Sequence, residues 1–231
     1  MNKAEYIAKG KILRIMSKYL PESVAKSLFD RFLENYQDSE LLDLMFVLSD
    51  NNIEVNFMLQ LFTTTTPTKE QKALAAELMM KYIHERSINE GSFLTIMHEL
   101  VKLKCNKEEL AAFIIDNIYI KKNQNGINLW TYCDWLYSLR VKKYKDDYIR
   151  IASDKELGVS RQMLFLLFGA FKDKDYLSVM LDNIDDDDVN GHIISALSKY
   201  PDKSLDIYFE PFLNDRRSWV RKIAIKRLKT N

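Results

Sequence analysis

The stretch LDIYFEPFLNDRRSWVRKIAIKRLKT, residues 205–230, decides the reading of the fold. From Ser218 onward its apolar residues Val220, Ala224 and Leu228 recur every fourth position. Lys222, Lys226 and Lys229 fall on the opposite side. That is the pattern of an amphipathic helix with one face against a core. Ahead of it, Leu205 to Leu213 form a second, shorter apolar segment with Pro211 inside it. A proline there removes one backbone donor and bends the helix that contains it. The stretch therefore reads as a helix A, a polar turn and a helix B.

Moving toward the N-terminus, the same unit returns. Leu129, Val159, Val189 and Val220 each head a helix, at steps of 30, 30 and 31 residues. Behind each head the core positions recur as Cys133 and Leu136, Met163 and Leu167, Ile193 and Leu197, then Ala224 and Leu228. Shorter helices are expected between them, around Tyr148 to Ala152, Tyr176 to Met180 and Leu205 to Leu213. One such pair cannot hide its apolar face alone, so like units stack and share a continuous core.

These residues resemble the HEAT-repeat family of armadillo-like α-solenoids. Pro211 in helix A and the Asp215 to Arg221 spacing are similar to the bend and the inter-repeat pair of that family, and WVRKIAIKRL resembles its second helix. LGVSRQMLFLLFGAF (157–171), DDDDVNGHIISALSKYPDK (185–203) and the SWVRK ending are similar to one bacterial subgroup. The resemblance covers about residues 127–230. It implies a right-handed α-α superhelix and a role in macromolecular interaction, with no reaction attached. The middle units depart from the pattern. Asp154 and Arg161 lie seven apart, and Asp185 faces Gly191, so the ladder between repeats is incomplete.

Upstream of the repeats only the helical period survives. Ile12 to Leu20, Pro21 to Leu33, Leu41 to Leu48, Ile53 to Phe62, Ala75 to Ile83, Phe93 to Val101 and Leu110 to Ile118 all read as helices. Thr68 is the expected N-cap of the fifth, with Gln71 completing a capping box. Asn123-Gln124-Asn125-Gly126 is a helix stop and a soft boundary. No Gly/Ser or Pro linker interrupts the chain. The expectation is an all-α protein forming one domain over 1–231, divergent over 1–125 and recognisably repetitive over 126–231.

Composition agrees with helices. Six glycines and four prolines in 231 residues are too few for a β-rich chain. A chain of this length buries roughly 70% of its unfolded surface and needs no metal or disulfide to fold. Lys plus Arg is 34 and Asp plus Glu is 33, for a net charge of +1, which argues against a surface basic all over. Cys105 and Cys133 form no CxxC pair, so a reducing, cytoplasmic setting is expected. No uncharged apolar run reaches the 18 or so residues of a membrane span, and no secretory leader pattern occurs at the start.

Catalytic chemistry finds little to stand on. His84, His98 and His192 have no metal-ligand spacing, and no nucleophile sits in a triad-like arrangement. The Asp185 to Asp188 run lacks the spaced ligands and Gly turn of a Ca²⁺ loop. No cofactor and no metal is expected. Gly191 costs about 1 kcal/mol inside a helix and suggests a close approach beside His192.

The leading expectation is a scaffold that binds a protein partner on the B-helix wall. Trp130, Asp134, Arg161, Gln162, His192, Trp219 and Arg221 are its candidate contacts, because aromatic and Arg side chains anchor interfaces. The alternative is nucleic-acid binding. Trp130 and Asp134 share a helix face and resemble the acid and aromatic of HEAT-like alkylpurine DNA glycosylases. There the resemblance implies an acid that steadies a cationic sugar, with the basic C-terminal helix holding phosphates.

Overall fold

Leu41, Leu44, Met45 and Leu48 line up on one side of the first long helix, α1 (Ser39–Asp50), and all four are buried. Its end is set by Asn52, which takes a left-handed φ of 59° and lets the Ile53 N–H return to the Leu48 carbonyl at 2.9 Å. The computed structural model describes residues 13–14, 17–18, 20–21, 23–27, 39–55, 59–62, 65–124 and 129–229, apart from the side chains at 39 and 42. Among them the fold is all-helical, with one isolated bridge between Val55 and Leu61 and no strand. The chain divides into two compact units, residues 1–106 and 107–231. The division falls at Asn106–Lys107, ahead of the loop at 123–126 that the residue pattern marks as the boundary.

In the first unit, α2 (Lys69–Glu85) packs between α1 and α3 (Glu90–Leu103). The capping box is in place. Gln71 N–H donates to Thr68 Oγ1 at 3.2 Å, and Thr68 N–H donates to Gln71 Oε1 at 2.9 Å. Tyr82 Oη donates to the Glu40 carbonyl at 2.6 Å and ties α2 to the start of α1. The described residues of the helix expected over Ile53 to Phe62, namely 53–55 and 59–62, are not helical. Leu59 and Phe62 have positive φ, Val55 bridges Leu61, and the Leu61 N–H donates to the buried carboxylate of Glu99 at 3.2 Å. Ile53, Val55, Leu59 and Leu61 are all buried, so their apolar character serves a folded-back loop. Of the expected N-terminal core, Ala25 is buried, while Leu28, Phe29, Phe32 and Leu33 lie outside the described residues.

The second unit contains α4 (Lys107–Lys121), α5 (Trp130–Leu139), α6 (Lys145–Ser153), α7 (Gln162–Phe171), α8 (Leu177–Asp182), α9 (Asn190–Leu197) and α10 (Ser218–Lys229). Contacts run in sequence: α4 on α5, α5 on α7, α7 on α9 and α9 on α10. The short α6 packs on α7 and α8, and α8 packs on α9. α7 is the core element, with Met163, Leu164, Phe165, Leu167 and Phe168 all buried. Phe168 stacks on Tyr176 with ring centroids 4.2 Å apart, a pair worth about 1 kcal/mol beyond its area. Gly169 permits the closest approach, since a Cβ there would lie 2.7 Å from Ala196 Cα on α9. α5 and α7 both stop at left-handed residues, Arg140 and Lys172, whose N–H groups close back onto Leu136 and Phe168.

Two expectations about the repeats need correction. Val159 is 51% exposed and heads no helix. Gly158, at φ 48° and ψ −131°, kinks the preceding 3-10 turn, and α7 starts only at Gln162. The buried residue just before the helix, filled by Leu129 and Val189 elsewhere, is Arg161. The last helix A is also not α-helical. Lys203–Tyr208 and Glu210–Asn214 are two 3-10 segments, with Pro211 in the first turn of the second.

Candidate binding surface

Partial exposure along α5, α7, α9 and α10 follows the helical period. Trp130 and Asp134 remain accessible on α5, Gln162, Leu166 and Ala170 on α7, His192 and Ser195 on α9, and Trp219, Lys222 and Lys226 on α10. These residues sit on helices that pack one on the next within the second unit. Five of the seven candidate contacts are among these accessible residues: Trp130, Asp134, Gln162, His192 and Trp219. Leu166 and Ser195 are members that sequence reasoning missed; only the packing order of the helices picks them out.

Trp219 is seated against α9. A Cβ on Gly191 would lie 2.8 Å from Trp219 Cη2 and 3.0 Å from Cζ2, so the indole rests on the glycine backbone. His192 meets the indole edge-on, with centroids 5.4 Å apart. The helical cost of Gly191 thus goes to seating an aromatic ring that stays 40% exposed. Burial and the neighbouring Arg217 hold His192 below its ordinary pKa. Gln162 is tied down as well, its Nε2 donating to the Asp188 carbonyl at 2.7 Å.

Arg161 is not a surface contact. Its side chain is fully buried, because the guanidinium fills the slot ahead of α7 and satisfies carbonyls there. It donates to Gly158 O at 3.1 Å, to Ala152 O and Asn183 Oδ1 at 3.2 Å, and to Asp186 Oδ2 at 2.6 Å. Arg221 is half-buried and donates to the main-chain carbonyls of Asp215 and Arg216. The Asp215 carboxylate instead pairs with Arg217 at 2.8 Å, and Arg217 reaches Asn190 Oδ1 at 2.7 Å. Asn190 in turn donates to Asp187 at 3.2 Å. Lys122 joins Asp154 at 2.7 Å, and Arg227 joins Asp206 at 2.6 Å. Charged links between successive units therefore exist, carried by Arg161, Arg217 and Lys122 at offsets that no fixed Asp-to-Arg spacing reveals.

The arginines of the C-terminal helix region mostly serve this internal network, whereas Lys222, Lys226 and Lys229 face outward. Cations are thereby concentrated at the α10 end. Among the described residues, the accessible positions of α7 and α9 named above carry no cation.

Among the described residues no group of His, Cys, Asp and Glu is placed to hold a metal ion. Cys133 is buried, and that burial pushes its thiol up to about 12. Among the described residues no helix is long and apolar enough to cross a membrane. No family model, curated protein or solved structure matches the chain.

Proposed function

We propose that the second unit is a HEAT-like α-solenoid segment whose accessible B-helix stripes bind a protein partner in a reducing compartment. The observation that carries this reading is the seating of Trp219. A large aromatic ring is held half-exposed by Gly191 and His192. An anchor already fixed in place loses little freedom when a partner covers it, which is the economy that interface hot spots exploit. Trp130 and Leu166 extend the same accessible strip across α5 and α7. The run of helices, each packed on the next with shorter elements between, supports the solenoid half of the proposal. The exposed lysines of α10 are not continued by cations among the accessible residues of α7 and α9, which favours a protein partner over the nucleic-acid alternative.

The test is a comparison of two triple variants in partner recovery from the source cell. Trp130→Ala, Leu166→Ala and Trp219→Ala together should abolish recovery of a protein that the parent retains. Lys174→Ala, Asp175→Ala and Ser178→Ala, exposed residues around the start of α8, should leave it unchanged. Equal recovery by both sets would refute the assignment of the binding face.

A further inference from the structure

The side of α9 that meets α10 is built from small residues. A Cβ on Gly191 would touch Trp219 and Val220, and Ser195 and Ser198 share a cavity with Ile223 and Lys226 of α10. Val189 and Val220, like Ile193 and Ala224, are fully buried, which sets the register between the two helices at 31 residues. In that register Lys222, Lys226 and Lys229 stand at the positions of Gly191, Ser195 and Ser198, and all three are exposed. One unit earlier, at a step of 30, the same positions hold Arg161, Phe165 and Phe168, all fully buried. The adjoining apolar position shows the same break. Leu164 and Ile194 are 0% exposed there, whereas Ile225 is 36% exposed. Among the described residues Lys222 and Lys229 have no side-chain hydrogen bond or ion pair. α10 itself contains no acidic residue.

We infer that Lys222, Lys226 and Lys229 close the stack: they keep the outer side of α10 from receiving a second copy of this chain, and leave association to the accessible side chains around Trp219. This rests on the stacked reading of the second unit in the proposed function. A copy laid on α10 about a two-fold axis would set the same three lysines against themselves. Their ammonium groups would lose water without meeting a carboxylate, since α10 offers none. Burying unpaired charge costs more than covering Ile225 returns. Sterics act in the same direction. α9 seats the Trp219 ring on Gly191 because no side chain stands there, whereas Lys222 fills the equivalent place on α10. Repeat stacks need a polar outer face of this kind where they stop. The helix dipole favours cations in the last turn, which accounts for Lys226 and Lys229 but not for Lys222 in the first half of the helix.

The experiment follows the full chain by sedimentation equilibrium over a range of concentrations. Lys222→Ala, Lys226→Ser and Lys229→Ser together should give a mass that rises with concentration toward about twice that of the parent, because a two-fold contact closes on itself. Lys222→Ala with Lys229→Ser, which keeps Lys226, should associate in the same way but more weakly. This pair decides the matter if the triple variant loses its helical circular dichroism. Lys222→Arg with Lys229→Arg retains the charge and should sediment as the parent does. Neutral variants with the parent's mass would overturn the inference. A neutral variant with a mass below the parent's would also overturn it, by placing the lysines inside an interface, and so would association of the arginine pair. The outcomes separate from those for the binding face. Partner loss in the Trp130, Leu166 and Trp219 variant, with no association of the neutral lysine variants, sinks only the closure of the stack. Association of those variants without that partner loss sinks only the face.

Discussion

Arg161 and Asp186 form an ion pair at 2.6 Å in which the guanidinium is fully buried and the carboxylate is mostly so. The arginine comes from the turn before α7 and the aspartate from the turn before α9, so the contact joins successive units. Removing the arginine leaves the other charge, and here three carbonyl-type acceptors, without compensation. Arg161→Ala should cost about 3 to 5 kcal/mol. Urea unfolding should show the loss as a lower midpoint at unchanged slope. Lys222→Ala, at an exposed site on the same unit, should stay within about 0.5 kcal/mol.

Two glycines set helix approach, and their alanine variants should differ. At Gly169 the new methyl meets the backbone of Ala196 at 2.7 Å, and backbone cannot swing aside. At Gly191 it meets the rim of Trp219 at 2.8 Å, a side chain that has room to tilt. Overpacking of this kind costs about 1 to 3 kcal/mol, offset by about 1 kcal/mol of helix propensity. Gly169→Ala should therefore be the more destabilised by thermal unfolding. Only Gly191→Ala should alter the Trp219 emission, which separates ring displacement from general loosening.

Stability should decline on the acid side for two identifiable reasons. Hydrogen bonds from Arg217 pull Asp215 down to about 2. An unfolded aspartate titrates near 3.9, so between those values the unfolded chain holds more protons. The stabilisation is complete above about pH 4 and is lost as pH falls toward 2, by on the order of 1 to 2 kcal/mol. Asp215→Asn should be less stable at neutral pH and should lack this part of the decline. His192 acts in the same direction at higher pH. Its folded value lies below 6.5, so stability begins to fall as pH drops through 6.5. An NMR titration should place its midpoint below that value, and His192→Gln should flatten the dependence.

The two thiols should behave differently. Cys133 is buried, and its ionisation is pushed up to about 12 by that burial and by nearby Asp134. Cys105 is partly exposed. A thiol reagent at neutral pH should modify Cys105 alone in the folded protein and both cysteines in denaturant. Rapid modification of Cys133 under native conditions would mean that α5 opens readily.

Local signals were legible because they depend on neighbours in the chain. Thr68 and Gln71 cap α2 through bonds that span three residues, and a periodic apolar face marks α7 and α9. What escaped depends on distant partners. Ile53 to Leu61 have apolar content that suits a helix, but the Leu61 N–H is claimed by Glu99, 38 residues further on. The 30-residue step pointed at Val159 as a core head, yet Gly158 breaks the register and Arg161 takes the buried place. An arginine is legible as a surface group until Asn183, Asp186 and Ala152 are seen to surround it. The accessible strip was partly legible, through Trp130, Asp134, Gln162, His192 and Trp219. Lys222 and Lys229 gained meaning only from the α9 positions they repeat, Gly191 and Ser198.

The most direct test of the binding face is site-specific photo-crosslinking from Leu166 on α7, whose helix comes between those of Trp130 and Trp219 in the packing order. A photoreactive residue at Leu166, compared with one at exposed Ser178 on α8, should give a discrete adduct with a single protein from the Leu166 position alone. Equal adducts from both positions, or an adduct only from Ser178, would contradict the account.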